Sequence, residues 1–550
     1  MKTQLESMYG FETQRANDLW LTQPMGGGVL KEFTFAQAMD EARRMAAYLK
    51  AQNFPEKSNI GIFSKNTAWW LITDLAIWMS GHVSVPLYPV LTAETIGQIL
   101  DHAQCRLIFI GKLDNYAAMA PGVPAGMPRV VMPLAPKMEG PQWAEIIART
   151  EPMKESPKRD ENDLATIVYT SGSTGVPKGV MHSFATMCAS DGFGKRLNVT
   201  TEDRMLSYLP LAHVFERTLV ETMTFNRGFR VFFAESLETF VADLQRARPT
   251  AFVSVPRLWV KFQAGVFEKM PPQKLDRLMG LPIIGGIVKK KVLKGLGLDA
   301  VRFAGSGSAP IPKELIQWYR RLGLELLEGY GMSENFSYSH MTRPGEVQPG
   351  FVGRPHDEVQ CRIGEGGEIQ VKSPCTMLGY YKAPELTKEM FTDDGFLKTG
   401  DQGEIDANGQ LRITGRVKEL FKTSKGKYVA PAPIENKLLL HTDIEQACVS
   451  GANMPQPYGL VVLNLKARNQ LSNAEHKKRI EESIIEHLKS LNSGLDPHEQ
   501  LEKVVVLSDE WTTENGMLTP TMKLRRSAIE NKYNPNIDAW YGQKPQVLWA

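Results

Sequence analysis

Short apolar runs recur along this chain, and between them lie stretches whose apolar positions return every three or four residues. Residues 59–64, 83–87, 106–110, 249–255 and 300–304 have the first texture and read as strands. Residues 67–79, 237–247 and 313–322 have the second and read as helices. Alternation of this kind predicts α/β layers with largely parallel sheets. From residue 366 the texture changes: 367–373 and 410–414 are short strands bounded by Gly, Asn and Asp, and Asp406-Ala407-Asn408-Gly409 is a turn signal. They predict a small antiparallel β unit. After Arg416 the chain is charged, with a helix at 473–491 among short strands near 447–450 and 460–465. The pattern therefore predicts a large N-terminal domain of stacked α/β sheets plus a small antiparallel β unit, residues 1–417, and a small α+β C-terminal domain, residues 418–550. Two Pro-rich or charged loops, 121–141 and 151–163, fall inside the larger one.

With 550 residues the chain is too long for one core, which agrees with two domains. Its 42% hydrophobic and 23% charged residues are ordinary for a soluble globular protein. The net charge of +3 is small, and no stripe of Arg and Lys interleaves with aromatics, so no nucleic-acid partner is expected. Five cysteines stand singly with no C-x-x-C pair. That argues against a disulfide framework and a zinc site, and fits a reducing cytosol. The start, Met1-Lys2-Thr3-Gln4-Leu5-Glu6, has no apolar core of a secretion signal, and no uncharged run approaches the length of a membrane span. A cytoplasmic protein is expected. Residues 281–298 are apolar with Lys289, Lys290, Lys291 and Lys294 clustered among them. This segment could touch an anionic membrane surface from one side; a solvated helix face beside a buried one is the plainer reading.

The most informative run is Tyr169-Thr170-Ser171-Gly172-Ser173-Thr174-Gly175-Val176-Pro177-Lys178-Gly179, which follows the strand-like residues 164–168. Glycines let a turn bend tightly and aim backbone N–H groups at an anion, the hydroxyls add donors, and Lys178 adds a point charge. Together they suggest a cradle for nucleotide phosphates. The lysine follows a proline and precedes a glycine, so the run is not a Walker A loop. A second segment, Glu328 to Glu334, reads E-G-Y-G-M-S-E after a strand ending at Leu327. A tyrosine between glycines can lie against a purine, and the hydroxyl and carboxylate that follow can meet a phosphate and Mg²⁺. In Lys398-Thr399-Gly400-Asp401, an aspartate after a Gly turn can accept both hydroxyls of a ribose.

These segments resemble the motifs of the adenylate-forming (AMP-binding) superfamily, which contains acyl-CoA synthetases, luciferases and peptide-synthetase adenylation domains. The first run is similar to its T-S-G-[ST]-T-G-x-P-K-G loop, the second to Y-G-x-[ST]-E, and the third to [KR]-T-G-D. Further along, Gly415-Arg416-Val417-Lys418-Glu419 resembles the hinge G-R-x-[KD]. Gly305-Ser306-Gly307-Ser308-Ala309-Pro310 resembles a G-[AG]-A-P segment, with Pro310 excluding a dinucleotide fingerprint. Leu209-Pro210-Leu211-Ala212-His213-Val214-Phe215-Glu216-Arg217 and Leu518-Thr519-Pro520-Thr521-Met522-Lys523 look most like long-chain fatty acyl-CoA synthetases. No G-x-S-x-G elbow supports a serine hydrolase.

The resemblance implies roles, residue by residue. Thr170, Ser171, Gly172, Ser173, Thr174, Gly175 and Lys178 would hold phosphates of ATP. Gly307, Ser308, Tyr330 and Gly331 would line the adenine site, and Ser333 would meet the α-phosphate. Glu334, with Thr174, would bind Mg²⁺; Asp401 and Arg416 would hold the ribose. Lys523 would bridge the carboxylate and the α-phosphate. Lys418 would be the pivot of a mobile C-terminal domain. Gly426, lacking a side chain, would let the pantetheine arm of coenzyme A pass, and His213 would border the acyl pocket without transferring protons. The implied reaction joins a carboxylic acid, of medium or long chain, to AMP and then to CoA. An acyl-AMP ligase loading a carrier protein, and a nucleotide-binding regulator without turnover, are the alternatives. The sequence leaves the oligomeric state open.

Overall fold

The computed structural model describes residues 2–171, 177–519 and 522–550, with Ser171 described in its backbone alone. The largest sheet has seven strands in the order Gly379–Tyr380, Pro177–Ser183, Leu164–Ser171, Val83–Leu87, Asn59–Phe63, Leu107–Ile110 and Arg129–Val131. The last five run parallel, while Pro177–Ser183 is antiparallel to both its neighbours. A five-stranded sheet starts with parallel Ala251–Ser254, Phe303–Ser306 and Leu326–Tyr330 and ends with antiparallel His340–Met341 and Arg354–Pro355. A third sheet pairs Val29–Thr34, Leu19–Gly26, Arg230–Phe233 and Arg204–Ser207. The small antiparallel unit is Gln360–Ile363, Glu368–Lys372, Leu397–Ile405 and Leu411–Arg416.

Helix Ala68–Met79 shows why the layers stack. Thr67 caps it, accepting from Trp70 N (3.3 Å), and every residue of the helix is buried. A helix apolar on all sides has to be enclosed, and this one lies in the main core with Trp20, Phe184 and Phe225. A cluster of ionisable groups penetrates that core. Arg217, fully buried, donates to Glu221 (2.7 Å), to Thr166 (2.8 Å) and to Asp74, and stacks over Trp70. It thus ties helix Ala68–Met79 to strand Leu164–Ser171. Burial holds Glu221 well above the usual carboxylate range despite Arg217, and Asp74 adds to the rise.

The C-terminal part is smaller and has its own sheet, Ile444–Ser450, Tyr458–Leu463, Lys503–Leu507 and Val547–Trp549. Alternate residues of these strands feed two separate cores. Val449, Val461 and Val504 face Phe421, Val429 and helix Ala474–Ser493; Cys448, Leu460 and Val505 face Leu518, Trp511 and Ile529. The turn at Gly426 therefore hangs on one face of the sheet and the loop carrying Lys523 on the other.

Several expectations need correction. The strand expected at 300–304 starts and ends later, at Phe303–Ser306: Val301 N closes a turn on Leu298 O, and pairing with Ala251–Ser254 begins only at Phe303. The strand expected to stop at Leu327 continues to Tyr330, because Gly329 and Tyr330 pair with Met341 and His340. The loop 121–141 contains the strand Arg129–Val131, recruited by Leu107–Ile110. Asp401 sits inside strand Leu397–Ile405 rather than after a free turn.

Arg217→Leu should lower stability by about 3–5 kcal/mol, because it leaves two buried carboxyl groups without their cation. The urea midpoint of the full chain measures it; a loss under about 1 kcal/mol would mean the network is dispensable.

Candidate functional site

The two ends of the glycine- and hydroxyl-rich run belong to paired antiparallel strands. Tyr169, Thr170 and Ser171 complete one strand, and Pro177, Lys178 and Gly179 begin the next, with Thr170 opposite Lys178. Gly172, Ser173, Thr174 and Gly175 lie outside the described residues, as does the Ser171 side chain. Gly179 has a packing reason: a Cβ there would come within 2.7 Å of Ile167.

The segment from Tyr330 to Glu334 is bound to this hairpin by two side chains. His182, on the hairpin's second strand, donates from Nε2 to Ser333 O (2.8 Å). Burial pushes its pKa down to about 4, so it is neutral and able to serve as this donor near pH 7. Tyr380 donates to Glu334 Oε1 (2.7 Å), and its ring lies under Lys178 Nζ, 5.5 Å from the centroid. Backbone bonds from Met377 N to Glu334 O and from Leu378 N to Met181 O complete the bracket. Gly331 is required where it stands, since a Cβ would lie 2.5 Å from the backbone of Ser337.

A third cluster forms around Asp401. Tyr330 donates its hydroxyl to Oδ2 (2.7 Å), and Arg416 pairs with Oδ1 (3.0 Å). The carboxylate keeps lone pairs for further donors. Lys523 stands across the cleft. Its backbone N–H bonds Thr519 Oγ1 (3.1 Å), while Pro520 and Thr521 lie outside the described residues. The surrounding protein lowers its pKa; Arg416 adds repulsion, and Asp401, Glu334 and Glu419 oppose the fall. His213 lies near Lys523. Burial, with a contribution from the ammonium, pushes its pKa down to about 3. Its Nδ1 accepts from Phe215 N (3.1 Å), so it is at once a satisfied structural histidine and a cleft residue.

One cleft of about 2100 Å³ is lined by Thr170, Lys178, His213, Ser308, Tyr330, Gly331, Ser333, Glu334, Asp401, Arg416, Lys418 and Lys523. Gly307 packs instead on Phe215, and Gly426 is exposed outside the cleft lining. Away from the charged groups the cleft is apolar, bordered by Phe193, Leu219, Val253, Phe303, Leu327 and Met341. Glu328 also lines it; burial raises this carboxyl to about 8, so it adds little negative charge at pH 7. Among the described residues no group of three or more His, Cys, Asp or Glu gathers to hold a metal. A lone Glu334 suits Mg²⁺ that takes its other ligands from phosphates and water.

Tyr380 and His182 escaped the sequence reading. Tyr380 stands in Gly379-Tyr380-Tyr381, which looks like any strand end, and His182 resembles a core histidine.

Residues 19–381 match the family model described as AMP-binding enzyme, and residues 419–545 match the AMP-binding enzyme C-terminal domain. The chain belongs to the AMP-binding enzyme family. Curated members of that family include long-chain-fatty-acid–CoA ligase FadD15 of Mycobacterium bovis, 28% identical over 97% of this chain and 96% of that one. The human long-chain-fatty-acid–CoA ligase 1 is 30% identical over 88% of this chain and 78% of its own. Among solved structures, the anthranilate CoA ligase AuaEII in complex with anthranoyl-AMP shares the fold at TM-score 0.79, with 19% identity and 98% of each chain covered. O-succinylbenzoate coenzyme A synthetase (MenE) from Bacillus subtilis, in complex with AMP, shares it at 0.72, with 21% identity over 95% and 97%.

Because Lys523 contributes to the depressed pKa of His213, Lys523→Ala should raise that pKa while leaving it below the ordinary value near 6.5. An NMR titration of His213 checks this; an unchanged pKa would place Lys523 away from His213 in solution.

Proposed function

We propose that this chain is an ATP-dependent acid:CoA ligase that activates a medium- or long-chain fatty acid as acyl-AMP and then transfers the acyl group to coenzyme A. The observation that carries this reading is the cleft onto which Lys178, Tyr330, Glu334, Asp401, Arg416 and Lys523 all open, together with apolar residues such as Leu219, Val253 and Met341. Its relatives' names support the acid class, since the matches span nearly all of both chains for FadD15.

The chemistry is an encounter between anions. A carboxylate oxygen attacks the α-phosphorus of ATP, and pyrophosphate leaves with the bonding pair. Lys523, Lys178 and Arg416 supply positive charge where negative charge accumulates, and the neutral states of His213 and Glu328 avoid extra carboxylate or imidazolium fields. Asp401 would hold the ribose hydroxyls, Tyr330 would flank adenine with Ser308 and Gly331, and Ser333 would meet the α-phosphate. Ser171 to Gly175 would enclose the outer phosphates. Mg²⁺, held by Glu334 and by Thr174, would add charge neutralisation at the phosphates.

In the second half-reaction the CoA thiol attacks the acyl carbon and AMP departs. We place the domain boundary at 417/418 and the pivot at Lys418, which is exposed in the turn after strand Leu411–Arg416. Among the described residues, the ion pairs crossing that boundary are Arg257–Glu445 and Lys466–Glu268. One is solvent-exposed and the other partly so, and pairs near the surface are worth roughly 0–1 kcal/mol each. They favour the present arrangement only slightly, so rotation that withdraws Lys523 and admits Gly426 would be inexpensive. The reaction would take place in the cytoplasm; among the described residues no helix is long and apolar enough to cross a membrane, so any membrane contact would be peripheral.

Acids of graded chain length, offered with ATP and CoA, test the reading: fatty acids should release pyrophosphate and form thioester faster than acetate or benzoate. Transfer to a carrier protein but not to CoA would establish the acyl-AMP ligase alternative, and ATP binding without pyrophosphate release from any acid would establish a regulator. Lys523→Ala should reduce pyrophosphate release by roughly 10²-fold yet largely spare thioester formation from pre-made acyl-AMP. Gly426→Val should do the reverse.

A further inference from the structure

Helices Pro272–Met279 and Ile284–Leu296 form a hairpin whose tip carries consecutive exposed residues Leu281, Pro282, Ile283 and Ile284. Ile283 is 86% exposed and Ile287 62%. The second helix has two different faces. Val288, Val292, Leu293 and Leu296 pack on the main core, and Gly285 is buried. The outward stripe runs Ile284, Ile287, Lys291, Lys294, spaced three or four residues apart, with Lys290 exposed beside it. Apolar side chains thus occupy the tip and lysines the shaft.

The charge is one-sided. Residues 277–298 contain Arg277, Lys289, Lys290, Lys291 and Lys294 and no acidic residue. The aspartates that flank the hairpin already have partners, Asp276 with Arg321 (3.7 Å) and Asp299 with Arg248 (2.9 Å). A solvated helix face would explain the lysines but not four apolar residues in a row held in water.

We propose that this hairpin tip is a docking surface for an anionic lipid bilayer. The tip would enter the boundary between headgroups and acyl chains, and the lysines would meet the phosphates. Lys291 stands about 10 Å along the helix from Ile284, the depth scale of that interfacial layer. Juxtaposed basic residues are drawn to anionic headgroups and fall off with salt. A second copy of this chain is the poorer occupant, because a two-fold contact would set lysine against lysine. Docking also has a geometric consequence. The hairpin follows helix Pro256–Lys269, whose Val260, Ala264 and Phe267 line the cleft, so a docked chain would present that wall near the bilayer.

The proposal does not depend on the ligase reading, and its test needs no turnover. The full chain is sedimented with phosphatidylcholine vesicles and with vesicles half phosphatidylglycerol, at low and high salt. Binding should be at least about tenfold tighter to the anionic vesicles and should weaken with salt. Ile283→Glu with Ile287→Glu, and separately Lys290→Glu with Lys291→Glu, should each cost at least about tenfold while circular dichroism melting stays as in the parent. Equal binding to both vesicle types, or variants that bind like the parent, would overturn the proposal. So would a dimer in light scattering that Ile283→Glu with Ile287→Glu disperses, in the absence of vesicle binding.

Discussion

Glu334 and Lys178 come from segments more than 150 residues apart, and a two-residue strand, Gly379–Tyr380, holds them together. Its backbone extends the large sheet beside Pro177–Ser183, and its tyrosine grips Glu334 on one side while its ring supports Lys178 on the other. A carboxylate and an ammonium left free would pair directly and quench each other. The tyrosine between them keeps the carboxylate oriented and the ammonium available. His182 adds a second tie, to Ser333, from inside the same strand pair. The separate sheets therefore act as a frame for groups that face one cleft.

Burial is used selectively around that frame. His213, His182 and Glu328 are pushed toward their neutral forms. Other groups keep partners or an open view of the cleft: Asp401 with Arg416, Glu334 with Tyr380, and Lys523. The same logic explains the buried Arg217 beneath strand Leu164–Ser171, where a charge fixed among Asp74, Glu221 and Thr166 anchors the strand that leads to Gly172.

Much of this was legible in the sequence, and for identifiable reasons. Residues 83–87 and 313–322 coincide with elements of the fold because their apolar periodicity is local and their ends are marked by a turn and by Gly323. Several of the motif residues that line the cleft, Lys178, Tyr330, Asp401 and Arg416, drew notice because each stands beside a glycine. What escaped depends on contacts distant in sequence. Strand Phe303–Ser306 begins where its neighbour's register begins, inside the apolar run that announces it, and continues past that run's end. Tyr380 matters only because Glu334 lies 46 positions away in sequence and 2.7 Å away in space. Nothing in Gly-Tyr-Tyr distinguishes it from an ordinary edge strand.

The two faces of the C-terminal sheet constrain any two-step chemistry at this cleft. Phe421 and Val429, which carry the turn at Gly426, pack on one face, and Leu518 and Leu524, which carry the loop of Lys523, pack on the other. The sheet's own core separates them, so a rigid body that offers the lysine withdraws the glycine. Moving both into the cleft at once would require dismantling one of the cores, whose residues are almost entirely buried. The ion pairs that rotation would break lie at or near the surface, whereas unpacking would expose many apolar side chains at roughly 25 cal/mol per Å². The proposed alternation between two orientations would therefore cost less than unpacking either core, and a ligand that binds one orientation better would favour it.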